Sequence, residues 1–350
     1  MFFYILLVVV VFCLVLVACV YPKNEKRISW LLISIMILIG GFRDRIGSDH
    51  DSYVSWYLQG TRDEDFEFGF VVIMNLFRAL HLSPHFLFFF FSFFTYVFVC
   101  LGIRNYTTNV NLALLCYILI PCLYITSFTL VRQSFSVAIS FYAFYYLINK
   151  KYLIFFLLML VGFSIHRTCL IAFLVFLFTY RFADKIKIVH LVIALITSFI
   201  LSKLNFHYLF SGFFKDMRYS YYFSNQQIPV NFIKIIILNG VGIFVLFYFD
   251  KLKKVYPYQK YLLVLYFFSL VSVNLLSTLN DLSRIYTYFR IFEIIVVTDL
   301  IFLENNRKKI FLFSFFFVMY FGTFINGLKT DYKVQDPNMP KFIPYKNLLW

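Results

Sequence analysis

The stretch FEFGFVVIMNLFRALHLSPH, residues 66–85, decides how the chain is threaded through a membrane. It is only moderately apolar, and it carries Arg78 and Pro84. A helix that crosses the bilayer needs roughly 20 consecutive apolar residues. We therefore expect residues 68–80 to form an interfacial or re-entrant helix, because a crossing here would break the alternation of basic loops that follows it.

The composition around this stretch is that of an integral membrane protein. Of the 350 residues, 62% are hydrophobic and only 14% are charged, against about 45–50% and 25% in soluble domains. The net charge of +15 resides in short loops between apolar runs, without a long basic surface segment. We therefore expect membrane lipid as a partner and no nucleic acid.

Metal and cofactor chemistry has little support in the motifs of the chain. The six cysteines all lie inside apolar segments, and none forms a CxxC pair. A Walker lysine motif, a GxSxG motif and an HExxH motif are absent from the sequence. We therefore expect no metal site and no cofactor.

The apolar runs predict about twelve transmembrane helices. These runs are 2–20, 28–42, 86–103, 111–127, 131–148, 152–165, 168–180, 187–203, 231–250, 260–279, 285–303 and 309–326. Sixteen Lys and Arg residues fall in short loops on one side, which should be cytoplasmic. The loops 43–85 and 204–230 and the tail 327–350 are then extracytoplasmic. We expect one integral membrane domain over residues 1–350, an all-α polytopic fold in the plasma membrane, with a GT-C-like arrangement as one option.

The extracytoplasmic side mixes basic and acidic residues, which orientation alone does not require, and this favours a functional site. In the first loop, Arg43 and Arg45 could bind phosphate oxygens through their planar guanidinium groups. Asp49, Asp51 and His50 could accept a proton from a hydroxyl group. An ordinary polar loop that satisfies its own charges is the alternative interpretation.

Three further positions stand at the outer ends of apolar runs. Glu67 is either a helix cap or a catalytic carboxylate. Arg132 and Gln133 open a helix, where the arginine is either a ligand group or a snorkelling side chain. His166 and Arg167 interrupt an apolar stretch, and they are candidates for a base and a phosphate ligand.

A last group lies in residues 281–293. Arg284 and Tyr288 share a helix face at the outer mouth, near Asp281. Arg290 is a deeper candidate, although an internal ion pair with Glu293 is the structural alternative.

These pieces, in this order, resemble the EpsG-like family of exopolysaccharide polymerases, related in role to the Wzy-type O-antigen polymerases. The resemblance rests on Arg43 with Gly47-Ser48-Asp49 to Tyr53, Glu67-Phe68-Gly69, Arg132-Gln133, Ser164-Ile165-His166-Arg167-Thr168, Arg284 with Tyr288-Phe289, and Pro344 to Lys346. The extra charge inside Asp49-His50-Asp51 departs from the family pattern, so the pattern does not identify which of the two aspartates is the functional one.

The resemblance implies that a growing glycan leaves undecaprenyl pyrophosphate and joins the next lipid-linked repeat unit on the outer face of a bacterial plasma membrane. A flippase and a chain-length regulator would then be protein partners. The candidate residues are assigned by role: the bases Asp49, His166, Asp51 and Glu67; the pyrophosphate ligands Arg43, Arg45, Arg132, Arg167, Arg284 and Arg290; and the sugar ligands Tyr53, Gln133, Tyr288 and Asp281.

Two other functions are compatible with a chain that has many membrane spans and interior arginines. A flippase or transporter of lipid-linked oligosaccharide would need charged residues along a pathway that reaches both faces. A membrane O-acyltransferase that modifies the polysaccharide would need a donor site and a catalytic histidine, for which His166 is the only support.

Overall fold

A computed structural model describes residues 1–60, 66–203, 232–277, 284–333 and 342–348 of the chain. Its α-helices are α1 Phe2–Val20, α2 Glu25–Gly41, α3 His50–Gln59, α4 Phe68–Ala79, α5 His85–Tyr106, α6 Val110–Leu119, α7 Val131–Ile148, α8 Tyr152–Ile165, α9 Cys169–Phe182, α10 Ile188–Lys203, α11 Phe232–Leu246, α12 Phe249–Val255, α13 Gln259–Leu275, α14 Thr287–Arg290, α15 Glu293–Phe302 and α16 Asn306–Lys333. Over these ranges no strand is found, and the predicted all-α class is confirmed.

Each of the twelve predicted apolar runs contains helix, although α6 ends at Leu119, well inside the run 111–127. In the part of the chain that the structure describes, three helices are long and apolar enough to cross a membrane, namely α1, α5 and the Asn306–Lys329 part of α16. The run 231–250 is a broken pair, α11 and α12, bent by 59°, which would make a fourth span. The run 285–303 is likewise divided, into α14 and α15. Five further apolar helices, including α8 and α13, have between 10 and 17 residues.

Helix α4 is the segment on which the predicted topology depended. It contains 12 residues, and at 1.5 Å per residue it is about 18 Å long. The hydrocarbon core is about 30 Å thick, so α4 is too short to cross it. Its buried residues Phe70, Val71 and Met74 lie on one face, which is the pattern of a helix that packs on a neighbour and leaves its other face uncovered.

The chain forms two compact units. The first unit contains Met1–Leu170 and Glu304–Trp350, and the second contains Ile171–Leu303. In the first unit, α5 packs against α2 and α7, α7 packs against α8, and α4 lies on α8 and α5. Aromatic side chains fill the space between α3, α4, α5 and α7, with Phe70, Phe88 and Phe91 almost completely buried.

The C-terminal segment 342–348 packs on the loop that follows α2. Arg43 and Asn347 form an isolated antiparallel bridge, and the Asp44 N–H donates to the Lys346 carbonyl at 3.1 Å. The Tyr345 hydroxyl donates to the Ile39 carbonyl at 2.8 Å. The first predicted motif and the closing Pro-Tyr-Lys therefore meet, although some 300 residues separate them in the sequence.

The second unit has several buried polar contacts of its own. Helix α13 packs against α10, α14 and α15. The amides of Asn239 and Asn274 bond each other reciprocally at 2.8 and 3.0 Å. The buried Asp299 carboxylate accepts hydrogen bonds from Tyr258 and Gln259 at 2.8 and 2.7 Å. These polar contacts join helices that are otherwise apolar.

Candidate active site

The Glu67 carboxylate connects three of the predicted motifs. Its Oε2 atom accepts a hydrogen bond from Nη1 of Arg132 at 2.6 Å. Its Oε1 atom accepts the backbone N–H of Arg167 at 3.2 Å and lies 3.5 Å from Nδ1 of His166. Glu67 immediately precedes α4, but its side chain makes no capping hydrogen bond to that helix. The cap interpretation is therefore wrong, and the carboxylate binds residues that lie 65 to 100 positions away in the chain.

Gly69 explains how Glu67 reaches the end of α8. A Cβ atom at Gly69 would lie 2.9 Å from both Cβ and the carbonyl oxygen of Ser164, closer than real Cβ contacts. The missing side chain lets the first turn of α4 approach the last turn of α8. His166 and Arg167 follow directly after α8, so this close approach places them beside Glu67.

The Arg132 guanidinium is fixed on several sides. Besides Glu67, it bonds the Tyr53 hydroxyl through Nε at 3.2 Å. Its central carbon lies 4.8 Å from the ring centre of Phe66 and 5.1 Å from that of Phe70. Such ring contacts favour a partly desolvated cation. The side chain remains 19% exposed, so it is a well-oriented guanidinium that solvent can still reach.

The surroundings of Glu67 favour its ionised form. Burial opposes ionisation, since the side chain is only 11% exposed. The contacts with His166, Arg132 and the Arg167 backbone N–H outweigh that penalty and lower the pKa of Glu67 to about 2. Glu67 is consequently a permanent anion at neutral pH, suited to holding cations and N–H groups in place.

The first loop brings its acidic residues to the same region. Asp49 precedes α3, is partly buried and accepts a hydrogen bond from the Ser48 hydroxyl at 3.0 Å. Its charge acts on the Tyr53 phenol, for which burial is the main cause of a raised pKa. Asp51 is exposed and bonds Nδ1 of His50 at 3.0 Å, while Arg45 is exposed on the loop.

Arg43 has a different environment from the one that the sequence predicted. Its side chain has no exposed surface. The guanidinium donates to the Gly40 carbonyl, to Ser92 Oγ at 3.3 Å and to the Phe128 carbonyl at 3.1 Å. These contacts anchor the loop after α2 to α5 and to the segment before α7. The Nε atom of Arg43 is buried without a hydrogen-bond partner among the described residues, so an anion could contact the guanidinium only if this buried region opened.

The remaining predicted residues are distributed as follows. Gln133 is buried at the start of α7. In the second unit, Arg284 is partly buried, Tyr288 is buried, and Arg290 forms an ion pair with Glu293 at 2.8 Å. The internal ion pair weighed for Arg290 is thus present. Asp281 lies outside the residues that the structure describes.

Sequence reasoning missed the aromatic rings around Arg132 and the partners of Arg43. Phe66 and Phe70 belong to a chain with 50 phenylalanines, so neither stands out in the sequence. A signal did exist for Gly69, which follows an acidic residue at the start of a helix where a small residue permits close packing.

Comparison with known proteins adds one match. The sequence profile of the EpsG family matches residues 26–347. Searches of curated proteins and of solved structures gave no match.

Proposed function

The chain belongs to the EpsG family of exopolysaccharide polymerases, and from this premise we propose that it transfers a growing glycan from undecaprenyl pyrophosphate to the next lipid-linked repeat unit. The reaction takes place at the outer face of the bacterial plasma membrane. In it, the bond between the anomeric carbon and the pyrophosphate oxygen breaks. A hydroxyl oxygen of the acceptor bonds that carbon, its proton passes to a base, and the lipid pyrophosphate leaves with the bonding electrons.

The observation that carries this proposal is the Glu67-centred cluster, in which Glu67, Arg132, His166 and the backbone of Arg167 are in contact. It combines a candidate base with cationic groups, which are the two requirements of the transfer. Fixed cations stabilise the charge that develops on a leaving pyrophosphate. No step of the proposal requires a metal ion or a cofactor.

His166 is the base that this geometry favours. Its Nδ1 atom faces the Glu67 carboxylate at 3.5 Å, a contact that orients the ring and supports the imidazolium formed after proton transfer, as in other carboxylate–histidine pairs. Nε2, on the opposite side of the ring, would then accept the hydroxyl proton. Glu67 itself is a poor base because its pKa is about 2. Asp49 is the alternative base, and the exposed Asp51 is a weaker one.

Arg132 and Arg167 are the proposed ligands of the pyrophosphate. Arg132 uses Nη1 for Glu67 and Nε for Tyr53, which leaves Nη2 to bind an oxygen of the leaving group. The Arg167 side chain is exposed beside the cluster. Arg45, Arg284 and Arg290 stay candidates for the same role, and Tyr53, Gln133, Tyr288 and Asp281 stay candidates for sugar contacts. A flippase and a chain-length regulator would supply substrate and control product length.

The test is polymerisation by purified protein in liposomes with a defined lipid-linked repeat unit. We expect His166→Ala to lower kcat by about 10²–10⁴-fold. Asp49→Asn should lower kcat far less if His166 is the base. The exposed carboxylate variant Asp184→Asn is the matched control. Full turnover in His166→Ala would contradict the base assignment, and full turnover in both variants would exclude both candidates.

The cellular phenotype separates this function from its rivals. Loss of a polymerase leaves single repeat units outside the cytoplasmic membrane. Loss of a flippase leaves them inside, and loss of an O-acyltransferase leaves full-length polymer without acyl groups. Repeat units accumulating inside cells that carry Arg132→Ala would contradict the proposal. Arg181→Ala, an exposed arginine, is the control variant.

A further inference from the structure

A second cluster of chemically capable side chains lies around the first loop. Asp44 follows α2, His50 opens α3 and His85 opens α5. One ligand atom from each lies within 4.8 Å of the others. The residues are six and 35 positions apart in sequence, a spacing that matches no short metal-binding motif. Folding alone brings two imidazoles and a carboxylate together.

The hydrogen bonds of His50 define which nitrogen can act as a ligand. Nδ1 lies 3.0 Å from Oδ1 of Asp51, and because a carboxylate only accepts, Nδ1 carries the proton. Nε2 then holds a lone pair, which accepts a long hydrogen bond from the Arg45 backbone N–H at 3.4 Å. A metal ion at Nε2 would replace this bond. Histidines that bind metals commonly donate their other N–H to a carboxylate in this way.

The His50 side chain and the backbone of Asp44 are held by the surrounding structure. The His50 ring is buried and stacks on Phe88 with 4.6 Å between ring centres and 10° between planes. The backbone of Asp44 is bonded to Lys346 at 3.1 Å. Nδ1 of His85 is buried, and within the described ranges it has no hydrogen-bond partner. A buried polar atom without a partner is costly, and a metal ion would satisfy it.

We propose that Asp44, His50 and His85 bind one divalent cation of the zinc class, with Asp51 orienting His50. Two imidazoles and one carboxylate form a donor set typical of zinc, and water would occupy the fourth position. Zinc–ligand bonds are about 2.0–2.2 Å, which places the donors of a tetrahedral site about 3.4 Å apart. Because the present donors lie up to 4.8 Å apart, each pair needs to close by up to about 1.4 Å. The buried Arg43 guanidinium opposes a cation here, and the Asp44 and Asp51 carboxylates offset it.

The ion would join the loop after α2 to the start of α5. It shares no ligand with the Glu67-centred cluster, and it does not rest on the proposed function. Asp49 and Tyr53 lie on the same loop and helix as His50. A cation at this position would therefore stabilise the element that carries them, and it would take no part in glycosyl transfer.

Cobalt(II) is the spectroscopic probe that tests the site. Full-length protein in detergent is stripped with a chelator and titrated with Co²⁺, followed by competition with Zn²⁺. We expect one tight Co²⁺ per chain, with intense visible d–d bands that Zn²⁺ abolishes. His85→Ala should remove the bands, and Asp51→Asn should weaken binding by about 10–100-fold. His81→Asn is the control, because His81 is exposed and has φ 53°, which asparagine tolerates.

Two results would overturn the proposal. One is wild-type protein without a stoichiometric Co²⁺ complex, and the other is a His85→Ala protein that binds as tightly as wild type. If His85→Ala does not fold, Asp44→Asn decides the question. Zn²⁺ should raise the Tm of the wild type and leave that of Asp44→Asn unchanged, and an equal rise in both would refute the site.

Discussion

Replacing Glu67 by glutamine is the most direct test of the site geometry. The substitution keeps the size and shape of the side chain, but it removes the charge that holds Arg132 and faces His166. The ordinary pKa of 4.5 and the value of about 2 in the folded protein differ by an amount that corresponds to about 3 kcal/mol, at 1.36 kcal/mol per pKa unit. We expect Glu67→Gln to lower the free energy of unfolding by about that amount at pH 7, as an upper bound.

The pH dependence identifies the cause. Because the pKa of Glu67 is lowered by folding, its contribution is complete above pH 4.5 and is lost as the pH falls toward 2. The same relation gives about 1 kcal/mol at pH 3, so the difference between wild type and Glu67→Gln should shrink by about 2 kcal/mol between pH 7 and pH 3.

The assay is equilibrium unfolding of both proteins in mixed micelles, followed by circular dichroism at the two pH values. Asp184→Asn is the matched control, because it removes an exposed carboxylate that pairs with Lys260 at 2.7 Å. Exposed ion pairs contribute about 0–1 kcal/mol. A Glu67→Gln penalty that is the same at pH 7 and pH 3 would refute the electrostatic account of the cluster.

Two further substitutions test how the first unit holds the site. Gly69→Ala should lower both stability and polymerisation, because its Cβ would press on Ser164 at a cost of about 1–3 kcal/mol. Gly322→Ala is the control: its Cβ would meet nothing within 4 Å and alanine is favoured inside a helix, so Tm should not fall and product length should be unchanged. Similar losses in the two variants would contradict the close-approach argument. Arg43→Lys should lower Tm strongly, because an ammonium group cannot reach three acceptors in a planar arrangement. Arg45→Lys, at the exposed neighbouring position, should leave Tm unchanged. If Arg43→Lys lost affinity for pyrophosphate while keeping its Tm, the predicted ligand role of Arg43 would be favoured instead.

The helices of this protein could be predicted from the sequence because their signal is local. Runs of apolar residues such as 86–103 and 131–148 correspond to α5 and α7 within a few residues. The prediction that residues 68–80 do not cross the membrane came from charge, because Arg78 and the order of the basic loops argued against a crossing. Breaks such as that between α11 and α12 have no comparable signal in hydropathy alone.

The partners of each charged residue could not be predicted in the same way. For Glu67 the sequence left two interpretations open, a catalytic carboxylate and a helix cap, because acidic residues before an apolar run are often caps. Its real partners are far away in the sequence, and only the packing of α4 on α8 brings them together. Arg43 looked accessible because it follows a predicted span. Its burial depends on α5 and on the segment 342–348, whose contacts leave no trace in the residues near Arg43.

The positions of the cluster residues have a common physical reason. Glu67 precedes α4, Arg132 lies in the first turn of α7, and His166 and Arg167 follow α8, so each stands at a helix end. A helix end is rigid and still reachable from water, whereas a charge placed in the middle of an apolar helix is costly. One carboxylate and two guanidinium groups leave a net positive charge. In the proposed reaction, an anionic leaving group would meet a guanidinium that is already oriented, because Glu67 and the rings of Phe66 and Phe70 hold Arg132 before the substrate arrives.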